Sequence, residues 1–224
     1  MKKKANIDWQ TIDTVLLDMD GTLLDKHFDD YFWEEYVPEI YAKQNNISIF
    51  TAEEELLAKY KERQGSLEWT DLDFWSQELD LDLEKMKLDV NHLINVHPYV
   101  LEFLEFCRNL GKKIVLVTNA HPKTLAIKMD KTKMEGEFDA LICADDIGVA
   151  KEDPVFWQKL AEKVEFDRAR TLLADDNEEV LASGEEYGIA HMIFVAKSSS
   201  TKPTLYSQRF SSIIFFKELM DIET

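Results

Sequence analysis

The chain has 224 residues, 45% of them apolar and 11% aromatic, with a formal net charge of −18. That length buries a sizeable core, as one large domain or two small ones, and the composition is that of a folded globular protein. No apolar run approaches the roughly 18–20 residues of a membrane span. The acidic balance argues against a nucleic-acid polymer as partner, because such binders present a basic face.

The chain opens on Met1-Lys2-Lys3-Lys4, but no apolar stretch follows before residue 15, so no secretory signal is expected. Val15-Leu16-Leu17 then forms a short apolar run ending on Asp18, followed by Met19-Asp20-Gly21-Thr22. Such a run reads as a buried strand when helices flank it. Gly21 permits a sharp turn beyond it.

The segment from 26 to 95 is different. It holds one glycine, Gly65, and one proline, Pro38. Apolar residues recur at three- and four-residue steps over 29–45, 51–64, 71–79 and 82–95, the spacing of helices. Thr51-Ala52-Glu53-Glu54 has the form of a capping box. We read this block as a helical domain inserted after the first strand, with a core made of residues 1–25 and 96–224.

From Pro98 onward strands and helices alternate. Pro98 opens a helix closed by Gly111, with Cys107 on its apolar face. A strand at 114–117 ends on Thr118-Asn119-Ala120-His121, and Pro122 starts the next helix. A strand at 140–143 contains Cys143. Asp153-Pro154 caps a further helix. A strand at 171–174 ends on Asp175-Asp176, a helix from 178 to 187 is closed by Gly188, and residues 189–195 form a fifth strand. The polar stretch 197–202 reads as a loop, and Ile213-Ile214-Phe215-Phe216 is apolar enough to dock back on the core. The alternation predicts an α/β fold with a Rossmann-like parallel sheet. Cys107 and Cys143, the only cysteines, show neither metal spacing nor a disulfide framework, as suits a reducing cytoplasm.

In an open parallel sheet, ligands bind beyond the carboxyl ends of the strands. One crevice would therefore collect Asp18, Asp20, Thr118, Lys151, Asp175 and Asp176. Each has a plainer reading. Asp-x-Asp-Gly also makes an ordinary turn, Lys151 could be a solvated loop charge, and Asp175-Asp176 could be a doubled helix cap. Taken together they suit phosphoryl transfer. A carboxylate can attack phosphorus and split one hard step into two. A hydroxyl and a helix N-terminus suit a phosphate oxygen, and a lysine offsets charge on the transferring group. Adjacent acids at a buried strand end repel unless a proton or a cation offsets them, and Mg²⁺ is a hard cation suited to such oxygens. His121 is either a substrate contact or a solvated loop histidine.

The ordered set Asp18-Met19-Asp20-Gly21-Thr22, Thr118-Asn119, Lys151 and Asp175-Asp176 resembles the four motifs of the haloacid dehalogenase superfamily of phosphohydrolases. The resemblance spans nearly the whole chain, including a helical cap between the first two motifs. It implies Asp18 as nucleophile, Asp20 in proton transfer, and Thr118 and Lys151 on the phosphoryl oxygens. It further implies Mg²⁺ held at Asp18, Asp20 (through its backbone carbonyl) and Asp176, with Asp175 binding it either directly or through water. Asp20 favours a phosphatase over a dehalogenase. Some members carry another acid where this chain has Val180.

The stretches Phe28-Asp29-Asp30-Tyr31-Phe32-Trp33, Leu67-Glu68-Trp69 and Thr118-Asn119-Ala120-His121-Pro122 are similar to bacterial 5′-nucleotidases acting on GMP and IMP. This implies a small phosphate ester, a purine nucleotide, as substrate, with Asn119, His121, Tyr31 and Trp69 contacting it. Trp33 and Trp75 are further candidates for a base pocket, or these aromatics simply pack the helical block. Alternatives are a sugar phosphomutase, a phosphosugar or phosphoglycolate phosphatase of the same superfamily, or a non-catalytic interaction module.

Overall fold

The structure is a computed structural model describing residues 7–220; the basic start at residues 1–4 lies outside them. Among the described residues six strands, β1 (Thr14–Leu17), β2 (Lys113–Thr118), β3 (Ala140–Cys143), β4 (Thr171–Asp175), β5 (His191–Val195) and β6 (Ser211–Ile213), form one sheet in the order β3-β2-β1-β4-β5-β6. Every pairing is parallel. The strand order reverses at β1, so the crevice beyond the ends of β1 and β4 is where such a sheet binds ligands.

Alternate side chains on each strand serve two cores. On one side Val15, Leu17, Ile114, Leu116, Leu172 and Ala174 pack with Phe103 and Leu104 of α6 (Val100–Asn109). On the other, Leu16, Val115, Val117 and Leu173 meet α9 (Pro154–Lys163) and α10 (Glu178–Tyr187) through Phe156, Trp157, Leu160, Val180 and Leu181. Burial of both faces is why these strands are continuous apolar runs rather than alternating ones. Val180, where an additional acid was conceivable, is therefore a core residue.

Between β1 and α6 the chain is helical: α1 (His27–Tyr31), a π-helical turn (Phe32–Tyr36), α2 (Val37–Asn45), α3 (Ile49–Arg63), α4 (Leu72–Leu79) and α5 (Leu83–Asp89). The wide turn lies just before Pro38, which has no N–H to continue the ordinary ladder. Two connections run side by side into and out of this block. Asp25 N–H donates to Asn95 O at 2.9 Å and His97 N–H to Leu23 O at 2.9 Å.

Several expected boundaries differ. The cap of α3 is Ser48, whose hydroxyl accepts from Thr51 N–H at 3.1 Å, so Thr51 lies inside the helix. The helix expected over 82–95 stops at Asp89 and gives way to a 3-10 turn at Asn91–Leu93. Pro98 does not open α6: Tyr99 adopts a left-handed backbone (φ 67°) and the helix begins at Val100. The apolar tail docks as β6 followed by a 3-10 turn, Phe216–Leu219, with Phe216 stacked on Phe103 at 4.5 Å between ring centroids. No helix among the described residues is long and apolar enough to cross a membrane.

Candidate active site

Asp18 is the first residue beyond β1, and its N–H still donates to Ala174 O of β4 at 3.0 Å. The chain then turns at Gly21, whose φ is +91°. A Cβ there would run into the Asp176 carboxylate and the Ser198 side chain. Glycine thus lets the turn lie directly against the end of β4.

Lys151 is not a solvated loop charge. It follows α8 (Ala144–Ile147) and is 2% exposed. Its Nζ donates to Asp18 Oδ1 at 2.6 Å, Asp175 Oδ2 at 2.8 Å and Val117 O at 3.2 Å, three acceptors for three protons. Burial works against its charge, but the two carboxylates outweigh it and keep the ammonium firmly protonated. The backbone around it is held as well. Lys151 N–H donates to Asn119 Oδ1 at 3.0 Å, and Ser183 Oγ donates to Lys151 O at 2.5 Å. Glu152 accepts from Asn119 Nδ2 at 2.8 Å and from Asn177 Nδ2 at 3.1 Å, tying the ends of β2 and β4 together.

Asp18, Asp175 and Asp176 each offer an oxygen within 4.8 Å of the others. Burial, followed by partial relief from Lys26 and a further rise from Asp18, pushes the Asp176 carboxyl up to about 6. Burial also raises Asp175, with Lys151 opposing. Three carboxylates against the buried Lys151 and the half-exposed Lys26 still leave surplus negative charge. Asp18 Oδ2 is buried with no partner among the described residues. Both oxygens of Asp175 are taken, one by Lys151 and one by Asn177 N–H at 2.9 Å. Hard oxygen donors with uncompensated charge are a fitting set for a divalent cation.

The other expected residues are placed as follows. Thr118 ends β2, is 1% exposed, and its Oγ1 accepts from Ala120 N–H at 3.0 Å. Asn119 spends its amide on Lys151 and Glu152. His121 caps α7 (Pro122–Thr132), its Nδ1 accepting from Lys123 N–H at 3.3 Å and its Nε2 lying 3.7 Å from Asp71 at the start of α4. Asp20 stands apart from the Lys151 group: its Oδ1 accepts from Lys128 Nζ at 2.5 Å. Burial, offset in part by Lys128 and reinforced by Asp29 and Asp18, pushes the Asp20 carboxyl up to about 6. Tyr31 stacks on Tyr36, and Trp33 meets both Tyr60 and Trp75 edge-on. Trp75 is a core residue at 1% exposure, whereas Trp69 is 40% exposed with one edge against Tyr60.

Sequence reasoning missed Lys26, Asp29, Lys87 and Lys128. Lys26 Nζ reaches Asp176 Oδ2 at 3.4 Å. Lys87 and Lys128 are each 1% exposed and ion-paired to Asp29. A signal existed: both lysines stand in the apolar stripe of a helix, Lys87 beside Leu83 and Met86, Lys128 beside Leu125 and Met129.

The family model for haloacid dehalogenase-like hydrolases matches residues 12–188. The chain is 37% identical to the GMP/IMP nucleotidase YrfG of Escherichia coli over 215 residues, 96% of this chain and 97% of that one. It is 21% identical to a phosphorylated carbohydrates phosphatase of Thermotoga maritima over 94% of this chain and 98% of the relative. The crystal structure of a HAD phosphatase from Thermococcus onnurineus has the same fold, with a TM-score of 0.78 at 23% identity, covering 93% of this chain and 96% of that one. With its strand-end acids and buried lysine in the places described, the chain belongs to the haloacid dehalogenase-like hydrolases and is a phosphohydrolase of that superfamily.

Proposed function

We propose that this phosphohydrolase removes the 5′-phosphate of purine nucleoside monophosphates, GMP and IMP foremost, through an aspartyl-phosphate on Asp18 and with Mg²⁺. The observation that carries the reading is the Asp18 carboxylate: one oxygen fixed by Lys151 at 2.6 Å, the other buried with no partner among the described residues. A carboxylate so held is oriented for in-line attack on a phosphorus atom.

In this mechanism Asp18 forms a bond to phosphorus while the bond to the ester oxygen breaks. Asp20, protonated, gives its proton to that departing oxygen and the alcohol leaves. Asp20, now ionised, takes a proton from water, and the resulting hydroxide attacks phosphorus. The Asp18–phosphorus bond breaks, releasing inorganic phosphate and restoring both carboxyl groups. A carboxyl near 6 suits such a two-way role close to neutral pH. Thr118 would hold a phosphoryl oxygen, and the Lys151 ammonium, its three protons spent on Asp18, Asp175 and Val117, would offset the group's charge from beside Asp18. Asp18, Asp176 and the backbone carbonyl of Asp20 would hold Mg²⁺, and Asp175 would orient Lys151. When bound, Mg²⁺ offsets charge on the transferring group.

Uncatalysed phosphate-ester hydrolysis is among the slowest reactions, with accelerations up to about 10²¹. A general acid supplies roughly 10²–10⁴ of that, so positioning and fixed charge carry the rest. The helical block 26–95 acts as a cap that selects the substrate, with Trp69 and Tyr31 offering aromatic surface to a purine. His121, linking α7 to α4, sits at the seam between cap and core. The 37% identity to a GMP/IMP nucleotidase supports this specificity.

The test is phosphate release from GMP, IMP, AMP, sugar phosphates and phosphoglycolate with Mg²⁺ or with EDTA. GMP and IMP should give the highest kcat/KM, with turnover lost in EDTA. A sugar phosphate preferred by tenfold or more would overturn the nucleotide assignment.

A further inference from the structure

We propose that Lys128 is a positioning residue for Asp20, and that Asp29 and Lys87 of the helical block lock it in place. Asp20 is then correctly set only when that block is seated on the sheet. The inference rests on Asp20 being the proton donor proposed above.

The geometry is a chain of four charges, two buried lysines and two partly buried aspartates, from three helices and the turn after β1. Lys128 Nζ of α7 lies 2.5 Å from Asp20 Oδ1 and 2.5 Å from Asp29 Oδ2 of α1. Asp29 Oδ1 in turn lies 3.0 Å from Lys87 Nζ of α5. Both lysines are 1% exposed. Aromatic rings enclose them: Phe28 lies 5.2 Å from Lys128 Nζ, and Phe32 lies 4.3 Å from Lys87 Nζ. Water therefore has little part in fixing the two ammoniums.

Stability alone gives a poor account of this arrangement. A buried ion pair loses much of its attraction to desolvation, and an apolar residue of similar volume often serves as well. Leu or Met at 87 and 128 would continue the stripes on which these lysines stand. What an apolar residue cannot do is hold a carboxylate by its oxygen. Asp29 and Lys87 belong to the block, whereas Lys128 and Asp20 belong to the sheet side. The Lys128–Asp29 contact is the link between the two pairs. If the block lifts, Lys128 loses its second anchor and Asp20 loses a fixed partner.

The experiment compares phenyl phosphate with p-nitrophenyl phosphate, esters of similar size whose leaving groups differ in their need for a proton. Asp20→Asn is the reference: its kcat/KM should fall at least about 10-fold more on phenyl phosphate than on p-nitrophenyl phosphate. Lys128→Met should show the same selectivity, and the two changes combined should be no more selective than Asp20→Asn alone. The double variant Asp29→Asn/Lys128→Met removes one charge of each sign, so it answers the question if Lys128→Met fails to fold. It too should be selective. Equal losses on both esters in the Lys128 variants, beside a selective Asp20→Asn, would overturn the positioning role alone. An unselective Asp20→Asn would overturn the proton-donor reading and this inference with it.

Discussion

Lys151 Nζ lies 2.6 Å from Asp18 Oδ1 although 133 positions separate them in sequence. Asp175 closes the group from the end of β4 at 2.8 Å. The contact is made because β1 lies between β2 and β4, and the loop carrying Lys151 is tied to both ends through Asn119, Glu152 and Asn177.

Removing the ammonium should cost stability as well as turnover. Breaking a buried pair by deleting one partner typically costs about 3–5 kcal/mol. Lys151→Met should therefore lower the urea midpoint markedly at about pH 7 and abolish phosphate release. Denaturant titration and a steady-state assay check both. An unchanged midpoint would contradict the burial and pairing described.

Asp18 and Asp20 should respond differently. Asp18→Asn removes the attacking group, and nearly all turnover should vanish. Asp20→Asn should leave a small residue, with kcat down roughly 10²–10⁴. Equal, mild losses from both changes would count against the roles assigned.

Mg²⁺ should stabilise the fold measurably, because binding to the native state alone adds RT ln(1 + [L]/Kd), about 2.7 kcal/mol at one hundred times Kd. The thermal midpoint should rise on Mg²⁺ titration and fall back with EDTA. Asp176→Asn should show most of that shift lost, since Asp175 already spends both oxygens inside the protein.

Asp29 gives the acid limb of stability. Burial alone would raise its carboxyl, but Lys128 and Lys87 outweigh it and hold the carboxyl well below the ordinary 3.8. A depressed native value means the unfolded chain takes up the proton first. The contribution is thus fully present above pH 3.8 and is lost as pH falls through the native value. Asp29→Asn should be less stable than the parent at neutral pH, and the gap should begin to narrow below about pH 4 and keep shrinking toward the native value. A gap that persisted into strong acid would show the loss to be one of packing.

Trp69 and Trp75 separate recognition from packing. Trp75 is 1% exposed, so Trp75→Ala should cost about 3–5 kcal/mol and lower activity on GMP and p-nitrophenyl phosphate alike. Trp69 is 40% exposed. Trp69→Ala should keep most of the stability and lose kcat/KM selectively on GMP. A parallel loss on both substrates would reduce Trp69 to a packing residue.

The strands were legible because a parallel sheet buried on both faces demands unbroken apolar runs such as Val15-Leu16-Leu17 and Thr171-Leu172-Leu173-Ala174, and few other contexts do. The polar residues directly after them were legible for the same reason, since a polar side chain at the end of such a run marks a strand terminus. Helix starts were read less well. Ser48 and Thr51 are both competent caps, and only the backbone decides which one accepts the hydrogen bond.

Local pattern thus determined the sheet, the helical block and the residues that end each strand, because side-chain periodicity and turn chemistry act over a few residues. Strand order, the burial of Lys151 among carboxylates and the chain from Lys87 through Asp29 and Lys128 to Asp20 were decided by tertiary structure alone. Those contacts join α1, α5, α7 and the β1 turn across up to 108 positions. A lysine in an apolar stripe marks a buried charge, but the identity of its partner leaves no trace in sequence; the pair exists only once folding brings opposite charges together out of water.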